Sequence, residues 1–190
     1  MASNRRAGTR ELGTLVALLR GVNVSGKHPL PMNDLAAMFV DAGCGDVQTY
    51  IQSGNVVCQA SQGLARRVPA LVTAAIADRF GFRVPVVTRT AGELRRIVRD
   101  NPLVRAGVDA GALHVVFLAH RPVAAKLAAL DPNRSPPDVY AVRGREIYLH
   151  CPNGLARTKL TNAYFDTKLA TTSTTRNWRT VLRLLELARD

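Results

Sequence analysis

The feature that most constrains this chain is the order of its apolar runs, because strand-like and helix-like periods alternate in a pattern that then starts again. TLVALLR, from Thr14, is a short apolar strand. Beyond a loop punctuated by Gly and Pro, Leu35, Met38, Phe39 and Ala42 recur at helical spacing up to Gly43, which suits a C-terminal cap. DVQTYI and NVVCQ are β-rich runs joined by Gln52-Ser53-Gly54, the mark of a tight hairpin. Leu64, Val68, Leu71, Val72, Ala75, Ile76 and Phe80 then form one helical stripe that ends at Gly81, with Pro69 expected near its first turns or at a kink. FRVPVVTR is a further strand. This β-α-β-β-α-β order over residues 14–90 predicts a ferredoxin-like lobe.

After a connecting helix at about 91–99, the order begins again. LHVVFLA reads as a strand, PVAAKLAAL as a helix and VYAVRGREIYLH as a hairpin turning at Gly144. Polar sequence stands where the last strand of this copy belongs, and a final helix is expected at about 175–188. The expected fold is therefore α+β, with two ferredoxin-like (βαββαβ) subdomains, the second degenerate, and a C-terminal helix. The corresponding division is a tail over 1–13, a lobe over 14–90, a connector over 91–112 and a C-terminal α+β lobe over 113–190.

Composition fits a chain that folds. Of 190 residues, 47% are hydrophobic and 21% charged, and mean hydropathy is close to zero, which excludes the disordered and collagen-like classes. No apolar run approaches the roughly 18 residues of a membrane span, and MASNRRAGTREL lacks a secretory h-region. A cytoplasmic location without membrane association is the expectation. Cys44, Cys58 and Cys151 are odd in number, with no C-x-x-C spacing, and read as reduced thiols. His28, His114, His120 and His150 are scattered, with no ligand partners at metal spacing, so no metal site is expected. Nothing in the sequence names a cofactor.

The net charge of +12 raises the question of nucleic acid. Residues 1–100 carry 13 basic and 7 acidic side chains and residues 101–190 carry the same numbers, so there is no basic tail or block. Arg supplies 22 of the 26 basic residues, which fits a general bias toward Arg as well as a binding surface. Where Lys is kept, a compact rotatable ammonium is needed, and Lys27, Lys159 and Lys168 all fall in polar segments.

The first of these segments is Gly21-Val-Asn-Val-Ser-Gly26-Lys27, which matches the start of the phosphate-cradling G-x-x-x-x-G-K motif. His28 replaces the magnesium-binding Ser or Thr, and Pro29 and Pro31 keep a helix from starting at Lys27, which argues against a nucleoside-triphosphatase loop. What remains is a loop carrying Arg20, Asn23, Ser25 and Lys27 at the carboxyl end of a strand. A right-handed β-α-β crossover brings that end beside the hairpin Gln52-Ser53-Gly54-Asn55, although turn-making alone accounts for much of both loops. The second segment runs from Arg157 and Lys159 to Thr174-Thr175-Arg176-Asn177-Trp178. Trp178, Val181, Leu182 and Leu185 form a helical stripe, which makes Thr174 or Thr175 the expected N-cap and Arg176 part of an anion site at the helix start.

LVALLRGVNVSGKHPLPM with TYIQSGNVV, and KLTNAYFDTKLATTSTTRNWRTV near the end, resemble the bacterial domain-of-unknown-function family 1697. The resemblance spans about residues 14–188 and implies two related α+β subdomains without supplying a reaction. Three functions compete. In the first, an anionic or phosphorylated small molecule is held in a cleft between the lobes by Arg20, Asn23, Lys27, Ser53, Asn55, Lys159 and Arg176. The second is a nucleic-acid-binding module using a basic sheet surface. The third is a structural or interaction protein, without a catalytic site, in which these motifs lock the lobes together.

Overall fold

Successive side chains of a strand point to opposite sides, so a strand whose consecutive residues are all buried must be covered on both faces. β1 (Leu12–Leu19) is such a strand, buried continuously from Thr14 to Leu19. The computed structural model describes residues 12–24 and 26–189. β1 is followed by α1 (Met32–Asp41), β2 (Gly45–Tyr50), β3 (Asn55–Ser61), α2 (Gln62–Phe80), β4 (Val86–Thr90) and α3 (Ala91–Arg99). Four strands make an antiparallel sheet in the order β2-β3-β1-β4. α1 and α2 cover its outer face, where Leu15, Ala17 and Leu19 meet Leu35, Phe39, Val72 and Ile76.

α4 (Pro102–Arg105), a single turn, leads to the second lobe: β5 (Leu113–Leu118), α5 (Ala124–Leu127), β6 (Val139–Arg143), β7 (Glu146–His150), α6 (Asn162–Leu169), β8 (Ser173–Asn177) and α7 (Trp178–Leu187). Its antiparallel sheet has the order β6-β7-β5-β8, which repeats the first sheet strand for strand. Val116, Leu118, Ile147 and Leu149 pack outward against Leu160, Phe165 and Leu169. The inner faces share one core. Val16 and Leu18 of β1, Val115 and Phe117 of β5, Leu94 and Ile97 of α3, and Trp178, Val181 and Leu184 of α7 belong to a single cluster. At roughly 1.5–3 kcal/mol for each large apolar side chain buried, this shared core is the main attachment between the lobes.

Several details differ from expectation. β1 begins at Leu12 rather than Thr14, because Leu12 and Gly13 pair with Ser61 and Ala60. Pro69 lies inside α2, beyond its first turn. α5 is one turn long where a fuller helix was expected. The second lobe does not lack its last strand: the polar run Ser173–Asn177 is β8, paired along β5 from His114 to Leu118. In consequence neither Thr174 nor Thr175 caps the final helix, and Asn177 does so, its Oδ1 accepting from the Thr180 N–H at 2.8 Å. The expected tail lies mostly outside the described residues, as does Ser25. Among the described residues, no helix is long and apolar enough to cross a membrane, and no group of three or more His, Cys, Asp or Glu is placed to hold a metal. The three cysteines are free and buried.

Candidate functional site

The two polar segments at the ends of the chain do meet. Arg176, 9% exposed, projects from β8 into the first lobe. Its Nη2 donates to Leu19 O at 2.6 Å, Ser53 O at 3.1 Å and Gly54 O at 3.3 Å, and its Nε donates to Asn55 Oδ1 at 2.6 Å. Nη1 donates to Thr174 Oγ1 and Thr175 O. A guanidinium has five N–H donors, and all five are engaged by protein acceptors. Burial pushes the Arg176 guanidinium down to about 10, but the ring of carbonyl and amide oxygens favours its charged form. Arg176 therefore stands in a strand with every donor used, and not at an open helix start.

Asn55 is buried in the same knot, donating to Tyr50 O and Ser53 Oγ. Asn23 donates to Leu30 O and Gln52 O and accepts from Leu30 N, which ties the Gly21–Lys27 loop to the hairpin. Arg20 pairs with Asp166 of α6 and donates to Ser173 O. Ser173 Oγ in turn donates to the second Asp166 oxygen, and Thr175 Oγ1 donates to Asn162. Lys27 sits in a small turn closed by a Val24–Lys27 bridge, with its side chain exposed. Lys159 is likewise exposed, contributing only its backbone N–H to Ser135 Oγ. Of the seven expected residues, then, Arg20, Asn23, Ser53, Asn55 and Arg176 enter one hydrogen-bonded seam, and the two lysines do not.

Sequence reasoning missed the counterpart of this seam. Arg89 of β4, 1% exposed, crosses the other way: its Nε donates to Glu146 Oε1 at 2.8 Å and its Nη2 to Leu118 O and Arg145 O at 2.8 and 3.0 Å. One local signal could have found it, since Thr-Arg-Thr at 88–90 and Thr-Arg-Asn at 175–177 each close a strand just before a helix.

Beside Arg89 lies a cleft of about 580 Å³ lined by both lobes. Arg66 of α2 and Arg145 give it positive charge, His120 lies at its wall, and Glu93 is its one carboxylate among the described residues. Burial acts to raise the Glu93 carboxyl, but hydrogen bonds from Thr90 and the nearby Arg145 and Arg89 outweigh it and hold the group below its ordinary value. Arg145 pairs with Glu93 and donates weakly to Ala119 O, leaving other N–H groups for a ligand. Arg66 is exposed and has no ion pair among the described residues. A second cavity of about 1100 Å³ opens where β1 begins, among Gly13, Gly63, Gly92, Arg67 and Arg95. None of the seven expected residues lines either cavity. The central strands β1 and β5 are buried on both faces, so neither offers a bare surface for stacking bases.

A family model described as "Protein of unknown function (DUF1697)" matches residues 12–148. No curated protein matches the sequence. A solved structure titled "The structure of conserved bacterial protein SP0830 from Streptococcus pneumoniae" superposes with a TM-score of 0.71 at 16% identity, covering 94% of this chain and 100% of that one. At that identity the likeness concerns the fold.

Proposed function

The chain belongs to the DUF1697 family of proteins of unknown function, and on that footing we propose that it binds an anionic, phosphorylated small molecule in the cleft between its lobes. The supporting observation is the charge of that cleft: Arg66 and Arg145 line it, and its single carboxylate among the described residues is already paired. Its volume falls within the roughly 300–1,000 Å³ of small-molecule sites, and planar guanidinium forks match phosphate oxygens. In this reading Asn23, Ser53, Asn55 and Arg176 hold the frame, because Arg176 has no donor left for a ligand. Lys27 and Lys159 are the members of the expected set whose ammonium groups engage no described residue.

The same saturation of Arg176 favours a second reading for the two end segments, that they fasten the lobes and touch no ligand. Titration calorimetry with inorganic pyrophosphate and a sugar phosphate separates these roles. Arg66→Ala should weaken binding by about tenfold or more, and Lys27→Ala should leave it unchanged. Equal affinity of wild type and Arg66→Ala would remove the cleft, and a loss confined to Lys27→Ala would move the site to the Gly21–Lys27 loop. Retention on nucleic acid, with log affinity falling steeply against log salt, would favour a polynucleotide ligand instead.

A further inference from the structure

The cleft and the larger cavity are not separate. Leu15, Gln62, Ala65 and Thr90 line both, so the two hollows meet along the start of α2 and the end of β4. Cations occur on each side of the junction: Arg66 and Arg145 in the cleft, Arg67 and Arg95 in the larger cavity. Among the described residues, no carboxylate lines the larger cavity.

The glycines of the larger cavity carry the argument further. Four glycines among the described residues line it: Gly43, at φ +98°, needs glycine for its backbone, whereas Gly13, Gly63 and Gly92 have no positive φ that would require it. A Cβ built at Gly13 or Gly63 meets nothing within 4 Å, and one at Gly92 meets only Arg95 and Thr90 atoms at ordinary contact distance. Packing does not require glycine at these places either. The effect of the missing side chains is to keep the space open and the backbone approachable, which is the use of glycine beside a ligand.

We infer that the cleft and the larger cavity form one groove that takes an extended phosphorylated molecule of nucleotide size, its phosphates at Arg66 and Arg145 and its body over Leu15, Gly63 and Ala65. This rests on the cleft reading and adds the size and shape of the ligand. A single phosphate stays within the cleft; a nucleotide held there by its phosphates has the larger cavity open to the rest of it.

Two probes, ATP and inorganic phosphate, test this against wild type, Arg66→Ala, Gly63→Leu and Gly13→Leu by calorimetry, with melting curves as a check of folding. The leucines project into the larger cavity and leave the cleft untouched. Arg66→Ala should weaken both probes, and each leucine variant should weaken ATP by about tenfold or more while phosphate binding stays unchanged. ATP binding that is indifferent to both leucines, with both probes still dependent on Arg66, overturns the extended groove and leaves the cleft standing. Failure of wild type to bind either probe, or indifference of both to Arg66→Ala, overturns the two together. Should Gly63→Leu not fold, Gly13→Leu and Arg95→Ala, on other elements of the same cavity, give the same reading.

Discussion

Arg89 and Arg176 are mates across the internal repeat: each lies in the last strand of its own lobe, opposite Val16 and Val115 respectively, and each puts its guanidinium into the other lobe. The equivalence continues through their partners. Arg89 reaches Leu118 O, Arg145 O and Glu146, and Arg176 reaches Leu19 O, Gly54 O and Asn55. The backbone follows the same rule, with Leu19 N donating to Gly54 O and Leu118 N to Arg145 O, and with Arg20 N on Pro85 O and Ala119 N on Thr172 O. The symmetry breaks in the partners: Arg176 has two further acceptors, Thr174 Oγ1 and Ser53 O, without counterparts at Arg89 among the described residues, and the residue facing Nε differs in charge. Glu146 gives Arg89 a counter-charge, whereas Asn55 gives Arg176 only a neutral oxygen.

Removal of Arg176 should therefore be costly for stability. Arg176→Ala strands the acceptors at Leu19, Ser53, Gly54 and Asn55 inside the seam, and a loss of about 3–5 kcal/mol in unfolding free energy is expected. Arg176→Lys should recover little, because an ammonium has three donors on a point and cannot span acceptors spread around a fork. Urea denaturation of the two variants measures both statements. A lysine variant as stable as wild type would show that charge alone, without the fork, holds the seam.

Gly54 admits no side chain. Its φ is +74°, and a Cβ there would lie 2.7 Å from Leu19 Cβ and 2.7 Å from Val22 Cγ2, both in the core. Its carbonyl also receives Leu19 N and Arg176 Nη2, so the backbone cannot shift to relieve the clash. Gly54→Ala should cost about 3 kcal/mol or more, from backbone strain and overpacking together. The neighbouring Ser53→Ala removes only an acceptor for the Asn55 amide and should cost about 1 kcal/mol. Thermal melts of the pair order the two effects.

How much of this was legible depended on which force buries each residue. β1, β5 and the hairpin at Gly54 are written in apolar side chains and turn residues, and period and punctuation are enough to find them. β8 is not. Its buried side chains are Ser173, Thr174 and Arg176, which enter the interior by hydrogen bonding, so no alternation of apolar residues marks it as a strand. The convergence of Arg20 with Ser53 and Asn55 followed from topology; that of Arg176 was part of the cleft hypothesis, and the saturation of its donors was not legible, because it depends on which acceptors a guanidinium meets. Arg89 and Arg66 were invisible for a simpler reason: among 22 arginines, one-letter identity does not distinguish a buried clamp, an exposed cleft cation and a solvated charge. Gly63 and Gly92 read as ordinary helix glycines until the empty space beside them is seen.

Glu93 gives the fold an acid-sensitive element beside the cleft. Its folded carboxyl lies below the ordinary value of 4.5, so on acidification the unfolded chain takes up the proton first. The stabilisation is complete above about 4.5 and disappears as pH falls through the folded value. Glu93→Gln should therefore be less stable than wild type near pH 7, with the gap closing as pH falls below about 4.5 and through the lower folded value. Urea midpoints across that range test it, and a gap independent of pH would mean that Glu93 acts through packing or helix capping alone.

Asn23 and Lys27 share a loop and should respond in opposite ways. Asn23 holds a φ of +53°, a conformation asparagine tolerates and alanine resists, and its amide makes three hydrogen bonds that join the loop to Leu30 and Gln52. Asn23→Ala should cost about 2–4 kcal/mol, the sum of strain and lost bonds. Lys27 is exposed and engages no described residue through its ammonium, so Lys27→Ala should change stability by no more than about 0.5 kcal/mol. Circular-dichroism melts of the two variants decide whether this loop is a fastening or a free cationic arm. A Lys27→Ala loss as large as that of Asn23→Ala would place the ammonium inside the fastening and remove this loop as a free cationic arm for a ligand.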